Sequence, residues 1–238
     1  MNVTDYHIVD LSHTFFPGIP HAEDMPEEST KKIYDFEKDG FQAHYYGFAG
    51  QWGTHVDVPI HFVEGGRTLD QILPSELVLP LVVIDCVAEA ESDSDYLMSP
   101  EKVLEHESAY GRVPSGAFVA MKTGWSSRWP DPQRMSNKDS SGVAHFPGWS
   151  VEAAQLLLKE RKVLAFGHEP TDTDGGMKVT ADNFECEDYI LRQNVYQVEL
   201  MASMSGIPPV GSTIVVGFPK SLGGSGFPAR LLALVPKV

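Results

Sequence analysis

The stretch Leu77-Val-Leu-Pro-Leu-Val-Val-Ile-Asp-Cys-Val-Ala88 decides the fold. It is a near-continuous apolar run, and the part after Pro80 shows no polar alternation. A strand with that pattern is covered on both faces, so the sheet that holds it needs a layer on either side. Residues 117–121, 163–166, 213–218 and 230–235 have the same strand character. Residues 8–11, the aromatic run 41–48 and residues 52–58, closed by Pro59, add further strands. Helical signals are fewer. Ser150 caps a helix with Glu152 in its first turn and an apolar face at Ala153, Ala154, Leu156, Leu157 and Leu158. Ser99 and Pro100 open another over 101–107, and 69–73 is a short helix or turn ending at Pro74. Ser12 to Asp24, broken by Pro17, Gly18 and Pro20, reads as loop, as does the long polar stretch 123–146, whose length suits a lid. The expectation is one α/β domain over residues 1–238, with a central mixed β-sheet able to close toward a barrel and a few flanking helices.

Composition sets limits on function. A chain of 238 residues buries roughly 70% of the surface that its unfolded form exposes, so it needs no disulfide staple. Acidic residues number 33 against 18 basic ones, for a net charge of -15. Such a surface repels phosphate backbones and anionic membranes, so neither nucleic acid nor membrane is an expected partner. Cys86 lies in an apolar run and Cys186 in the acidic stretch 185–188, and both read as structural thiols. The N-terminus lacks a basic region followed by an apolar one, and no run approaches the roughly 18 apolar residues of a membrane helix. The expected location is the cytoplasm.

The chemistry concentrates in Gln51-Trp-Gly-Thr-His-Val-Asp-Val-Pro-Ile-His61. Side chains two apart on a strand share a face, so Gln51, Gly53, His55 and Asp57 line up together, with Trp52, Val56 and Val58 opposite. Gly53 leaves room on the polar face, and Pro59 ends regular pairing and can swing His61 toward it. Imidazole with carboxylate at this spacing suits zinc or manganese, and burying such groups without a purpose is costly.

This segment resembles the signature His-x-Gly-Thr-His-x-Asp-x-Pro-x-His of the cyclase family of metal-dependent hydrolases, which includes the kynurenine formamidase and isatin hydrolase types. Every fixed position matches except the first. The resemblance extends to Asp10-Leu-Ser-His13 with Pro17-Gly-Ile-Pro20, to Met121-Lys-Thr-Gly-Trp125 and to Phe146-Pro-Gly-Trp-Ser150. It also reaches Glu199 and Gly223-Gly-Ser-Gly-Phe-Pro-Ala-Arg230. Gly167-His-Glu-Pro-Thr-Asp-Thr-Asp174 resembles the family stretch Gly-x-Asp-Thr-x-Ser-x-Asp, with Glu169 in place of its first aspartate. Gln51 stands where the family has its first histidine ligand. Glu187 and Asp188 stand where a second-metal histidine is expected.

The resemblance implies a single divalent metal, Mn2+ or Zn2+, held by His55 and Asp57 with help from Gln51, Gln197 or Glu199. Oxygen-rich ligation tilts the choice toward manganese. It implies His61 as general base, taking a proton from activated water and passing it to the leaving nitrogen. Trp52, Phe48, Phe16 and Trp125 are candidate walls of an aromatic pocket, and Gln197 is a further substrate-side candidate. His13 and His168 fall in family-like segments without an assigned role. The implied reaction opens a C–N bond in a small aromatic amide, either an aryl formamide such as N-formylkynurenine or a cyclic amide such as isatin. A lactone hydrolase and a binding protein with a decayed site are the alternatives. A homodimer is expected by resemblance alone.

Overall fold

The computed structural model describes residues 2–21, 25–26 and 28–237, so part of the loop expected over Ser12 to Asp24 lies outside the described residues. Nine strands form one mixed sheet that curls into a half-barrel. In chain order the strands are β1 (Tyr6–Asp10), β2 (Ser29–Tyr34), β3 (Ala43–Gly47), β4 (His55–Asp57), β5 (Val78–Asp85), β6 (Leu97–Met98), β7 (Phe118–Lys122), β8 (Gly148–Trp149), β9 (Ala165–His168), β10 (Tyr196–Glu199), β11 (Ser212–Gly217), β12 (Gly226–Pro228) and β13 (Arg230–Pro236). The large sheet runs β1-β13-β11-β5-β7-β9-β10-β4-β12, while β2–β3 forms a separate hairpin and β6–β8 a short parallel pair. The strands β5, β7, β9 and β10 are parallel, and the flanking strands are antiparallel.

The apolar run at 81–84 behaves as its pattern requires. Leu81 and Val83 enter a core on one face of the sheet with Val56, Phe118, Tyr196 and Val198. Val82 and Ile84 enter the core on the other face with Trp149, Phe166, Cys186 and Ile190. The helices are α1 (Phe36–Asp39), α2 (Val87–Ser92), α3 (Pro100–Tyr110), α4 (Pro132–Ser136), α5 (Val151–Gln155), α6 (Gly176–Thr180) and α7 (Glu185–Arg192). Ser150 does cap α5, accepting from Ala153 N–H, and the helix continues as a π-type turn over Leu156–Arg161.

Two local expectations change, over 52–58 and 123–146, and the acidic stretch 185–188 takes a definite form. The strand read over 52–58 is only His55–Asp57, because Gly53 takes a left-handed φ of 61° and cannot extend it. The stretch 185–188 is the first half of α7, with Cys186, Ile190 and Leu191 buried on one face. The segment 123–146 is not a plain loop. It contains a 3-10 turn (Trp125–Arg128) and α4, and Trp125, Met135, Ala144 and Phe146 pack on Leu200. Both cysteines are buried free thiols, and burial pushes the Cys86 pKa up to about 12. No helix among the described residues is long and apolar enough to cross a membrane.

Candidate metal centre

The short strand β4 runs between β10 and β12, and its register builds the site. His55 lies opposite Glu199 on β10 and Pro228 on β12, and Asp57 lies opposite Gln197 and Gly226. Val56 points the other way into the core. His55, Asp57 and Glu199 are all buried, and each offers a ligand atom within 4.8 Å of the others. His55 Nε2 is 3.2 Å from Asp57 Oδ2 and 3.6 Å from Glu199 Oε2. The end of β9 brings His168 Nε2 to 3.4 Å from Glu199 Oε1. A Cβ on Gly226 would collide with the Gln51 amide and the Asp57 carboxylate, so only glycine lets β12 lie this close.

Each motif residue around the ligands has a local task. Gly53 does not leave open space, since Ile19 occupies the position of its missing side chain. What Gly53 provides is a carbonyl 2.7 Å from His55 Nδ1, which makes that nitrogen the N–H donor and leaves Nε2 with its lone pair toward the carboxylates. Thr54 Oγ1 donates to Leu200 O at 2.6 Å and accepts from His13 N–H at 2.9 Å. Leu200 has a φ of 51°, a strained conformation for a branched residue, and it directly follows Glu199. Pro59 opens the 3-10 turn Pro59–His61. That turn carries His61 Nε2 to 3.9 Å from both Asp57 Oδ1 and Glu187 Oε1. The His61 side chain is 25% exposed where its neighbours are almost fully covered, so it marks the open side of the cluster.

The acids crowd together. Gln197 Nε2 donates to Glu187 Oε1 and Glu199 Oε1, and Gln197 Oε1 accepts from Thr173 Oγ1 at 2.7 Å. Asp174 accepts from Cys186 and Glu187 N–H, which fixes the start of α7 and with it Glu187. Burial, then mutual repulsion among these carboxylates, drives Glu199 and Glu187 well above the usual carboxylate range. Desolvation likewise raises Asp172 to about 6. Burial opposes the charged form of Asp57, but His55 and His61 outweigh it and hold that carboxyl low. His55 is itself raised, since Asp57 outweighs its burial. His55 Nε2 and Asp57 Oδ2 have no hydrogen-bond partner among the described residues. Buried lone pairs without donors, in a pocket where carboxylates must otherwise hold protons, fit a divalent cation.

The other residues named from sequence fall as follows. Gln51 is half-buried, and its amide nitrogen donates to Asp57 Oδ1 at 3.1 Å and Ser225 Oγ at 3.3 Å, so its contact here is with a ligand carboxylate. Trp52 is fully buried with His21 stacked over it at 3.8 Å. Phe48 packs edge-on against Phe15 and Phe227. It lines a surface cavity of about 700 Å³ whose walls include none of His55, Asp57, His61 or Glu199. Gln197 is fully buried beneath the acids, away from any opening. Trp125 is a core residue donating to Met135 O, and Phe16 sits against Trp129. His13 stacks on Trp129 at 4.2 Å, and burial lowers its pKa to about 4. Glu169 accepts from Thr123 and Ser126, tying the end of β7 to the end of β9. Sequence reasoning left Asp172, Thr173 and Asp174 without roles. The only signal for them was the family-like stretch 167–174.

Comparison with known proteins gives the chain a family and several relatives of the same fold. The family described as "Putative cyclase" matches residues 9–175, and the chain belongs to that family. The isatin hydrolase of Roseibium aggregatum is 29% identical over 248 residues, covering 98% of this chain and 93% of that one. The structure of isatin hydrolase A from Labrenzia aggregata bound to benzyl benzoate is similar at a TM-score of 0.91 and 28% identity, covering 98% and 95% of the two chains. An isatin hydrolase bound to the product analogue thioisatinate is similar at a TM-score of 0.90 and 28% identity, covering 98% and 94%.

Proposed function

We propose that this protein is a metal-dependent hydrolase that opens the ring amide of a small aromatic cyclic amide of the isatin kind. The observation that carries this reading is the buried cluster of His55, Asp57 and Glu199, with unpartnered atoms turned inward and His61 at its open edge. The likeness to isatin hydrolases, one of them bound to the product analogue thioisatinate, favours a cyclic amide over a linear formamide. His55, Asp57 and Glu199 would hold one divalent cation per chain. Two carboxylates beside a single imidazole favour manganese over zinc. When bound, the cation polarises the amide carbonyl and acidifies water.

The remaining work belongs to the chain. His61 Nε2 takes one proton from the attacking water and delivers it to the ring nitrogen as the C–N bond breaks, so the ring opens to a single product with an aryl amine and a carboxylic acid, which loses its remaining proton to solvent as the carboxylate. Asp57 Oδ1 and Glu187 Oε1, each 3.9 Å from His61 Nε2, flank the imidazole at the edge of the cluster. Gln51 steadies Asp57, and Gln197 with Thr173 steadies Glu199. The test is hydrolysis of isatin, with N-formylkynurenine and an aryl lactone alongside, before and after chelation and after restoring Mn2+. Isatin turnover that disappears on chelation and returns with Mn2+ is expected. A metal-loaded protein that turns over only the formamide or only the lactone would reassign the substrate.

A further inference from the structure

Arg128 has no ion pair among the described residues, although the chain carries 33 acidic groups. It ends the 3-10 turn that follows β7. Its guanidinium lies over the Trp125 ring at 3.5 Å, and Nη1 donates to Arg134 O at 3.0 Å. Stacking covers a face of the guanidinium but leaves its in-plane N–H groups available, and Nε and Nη2 make no hydrogen bond among the described residues. Burial and the neighbouring Arg134 both work against the charge, so this half-buried cation is uncompensated by the protein. Arg128 lines a polar cavity of about 380 Å³ between the end of α2 and the 3-10 turn. Ser92, Ser94 and Ser127 line it too, and their hydroxyls make no hydrogen bond among the described residues. The cavity lies outside the C-terminal end of β7, the edge of parallel strands where α/β sheets hold ligands. None of His55, Asp57, His61 or Glu199 is in its walls.

We propose that this cavity is a second ligand site, separate from the metal centre, that takes a compact oxyanion, a carboxylate or a phosphate. Arg128 supplies the charge and two donors in the fork geometry that suits such an ion, and the three serine hydroxyls donate around it. Glu91 is the one carboxylate in the wall and is exposed, which favours a small ion over an extended anionic surface that would meet it. The site does not depend on the metal reading.

The test is calorimetric titration of inorganic phosphate, and separately of acetate, into metal-free and Mn2+-loaded protein, with tryptophan fluorescence following the ring beneath Arg128. At least one of the two should bind at a single saturable site per chain, with the same affinity whether or not Mn2+ is present. The tighter of the two identifies the head group. Arg128→Gln should bind it at least about tenfold more weakly, and Ser94→Ala/Ser127→Ala about threefold or more. The serine variant changes only partly exposed side chains, so it decides the matter if Arg128→Gln fails to fold. A wild type that binds neither ion overturns the proposal. Binding that appears only with Mn2+ puts the anion on the metal centre and overturns it too. Undiminished binding in either folded variant does the same.

Discussion

Thr54 is the motif residue with no acid–base chemistry of its own, and its hydroxyl joins three segments of the site. It accepts from His13 and donates to Leu200, whose left-handed backbone directs Glu199 toward His55. Thr54→Val keeps the volume and leaves a buried N–H and a buried carbonyl unpaired. Urea denaturation should show a loss of about 1–3 kcal/mol. Metal affinity should fall as well, since Leu200 loses a restraint. His61 makes the opposite case, being partly exposed and held by no hydrogen bond in the cluster. His61→Ala should keep its metal and its stability while turnover drops about 10²- to 10⁴-fold, as removal of a general base does. Parallel metal analysis and steady-state kinetics check both halves. Loss of metal in that variant would make His61 a ligand instead.

At the scale of elements, the central strands were legible because both of their faces are buried, which erases alternation at 81–84. The site strand β4 was legible as a motif but not in extent, since Gly53 turns the chain where the pattern continues. The helix α7 was hidden by its own function. Its first turn carries Glu185, Glu187 and Asp188, and Glu187 faces the metal pocket where an apolar residue would have revealed the helix. His168 stands out in the sequence only through the family-like stretch 167–174, and its place beside Glu199 emerges only when β9, β10 and β4 lie side by side. One loop contact has a definite pH dependence. His145 Nδ1 is 2.8 Å from Asp95 Oδ2, which lifts the imidazole pKa above its ordinary value. A raised folded-state pKa adds stability that is complete below the unfolded value of about 6.5 and is lost as pH rises through the folded value. Asp95→Asn should therefore lower the melting temperature at pH 5.5 and have little effect at pH 9. An equal loss at both would mean that the pair acts through packing.

For the whole molecule, the hairpin β2–β3 and the short helix α1 leave Ile33, Tyr34, Phe36, Phe41, Tyr45 and Tyr46 exposed, while much of the surface elsewhere is acidic. Neighbours such as Tyr45 and Tyr46 point to opposite faces of the hairpin, and the homodimer expected from resemblance would bury part of this apolar surface. Light scattering on the eluting protein should give twice the chain mass of 26.2 kDa, falling to one chain in Phe36→Ser/Tyr45→Ser. A wild-type monomer would remove the dimer from the account. The net charge of -15 and a centre built from carboxylates also agree with each other, because the acids inside need a cation more than an anionic partner.

The most direct test of the metal centre is elemental analysis of wild type and Asp57→Ala, each made metal-free, reloaded with Mn2+ and desalted. Asp57 touches His55, Gln51 and His61, so no cation held by this cluster should survive its loss. The expected result is about one manganese per wild-type chain and almost none in a folded variant, as judged by circular dichroism. Equal metal in the two proteins, or none in either, would contradict a catalytic metal at His55, Asp57 and Glu199.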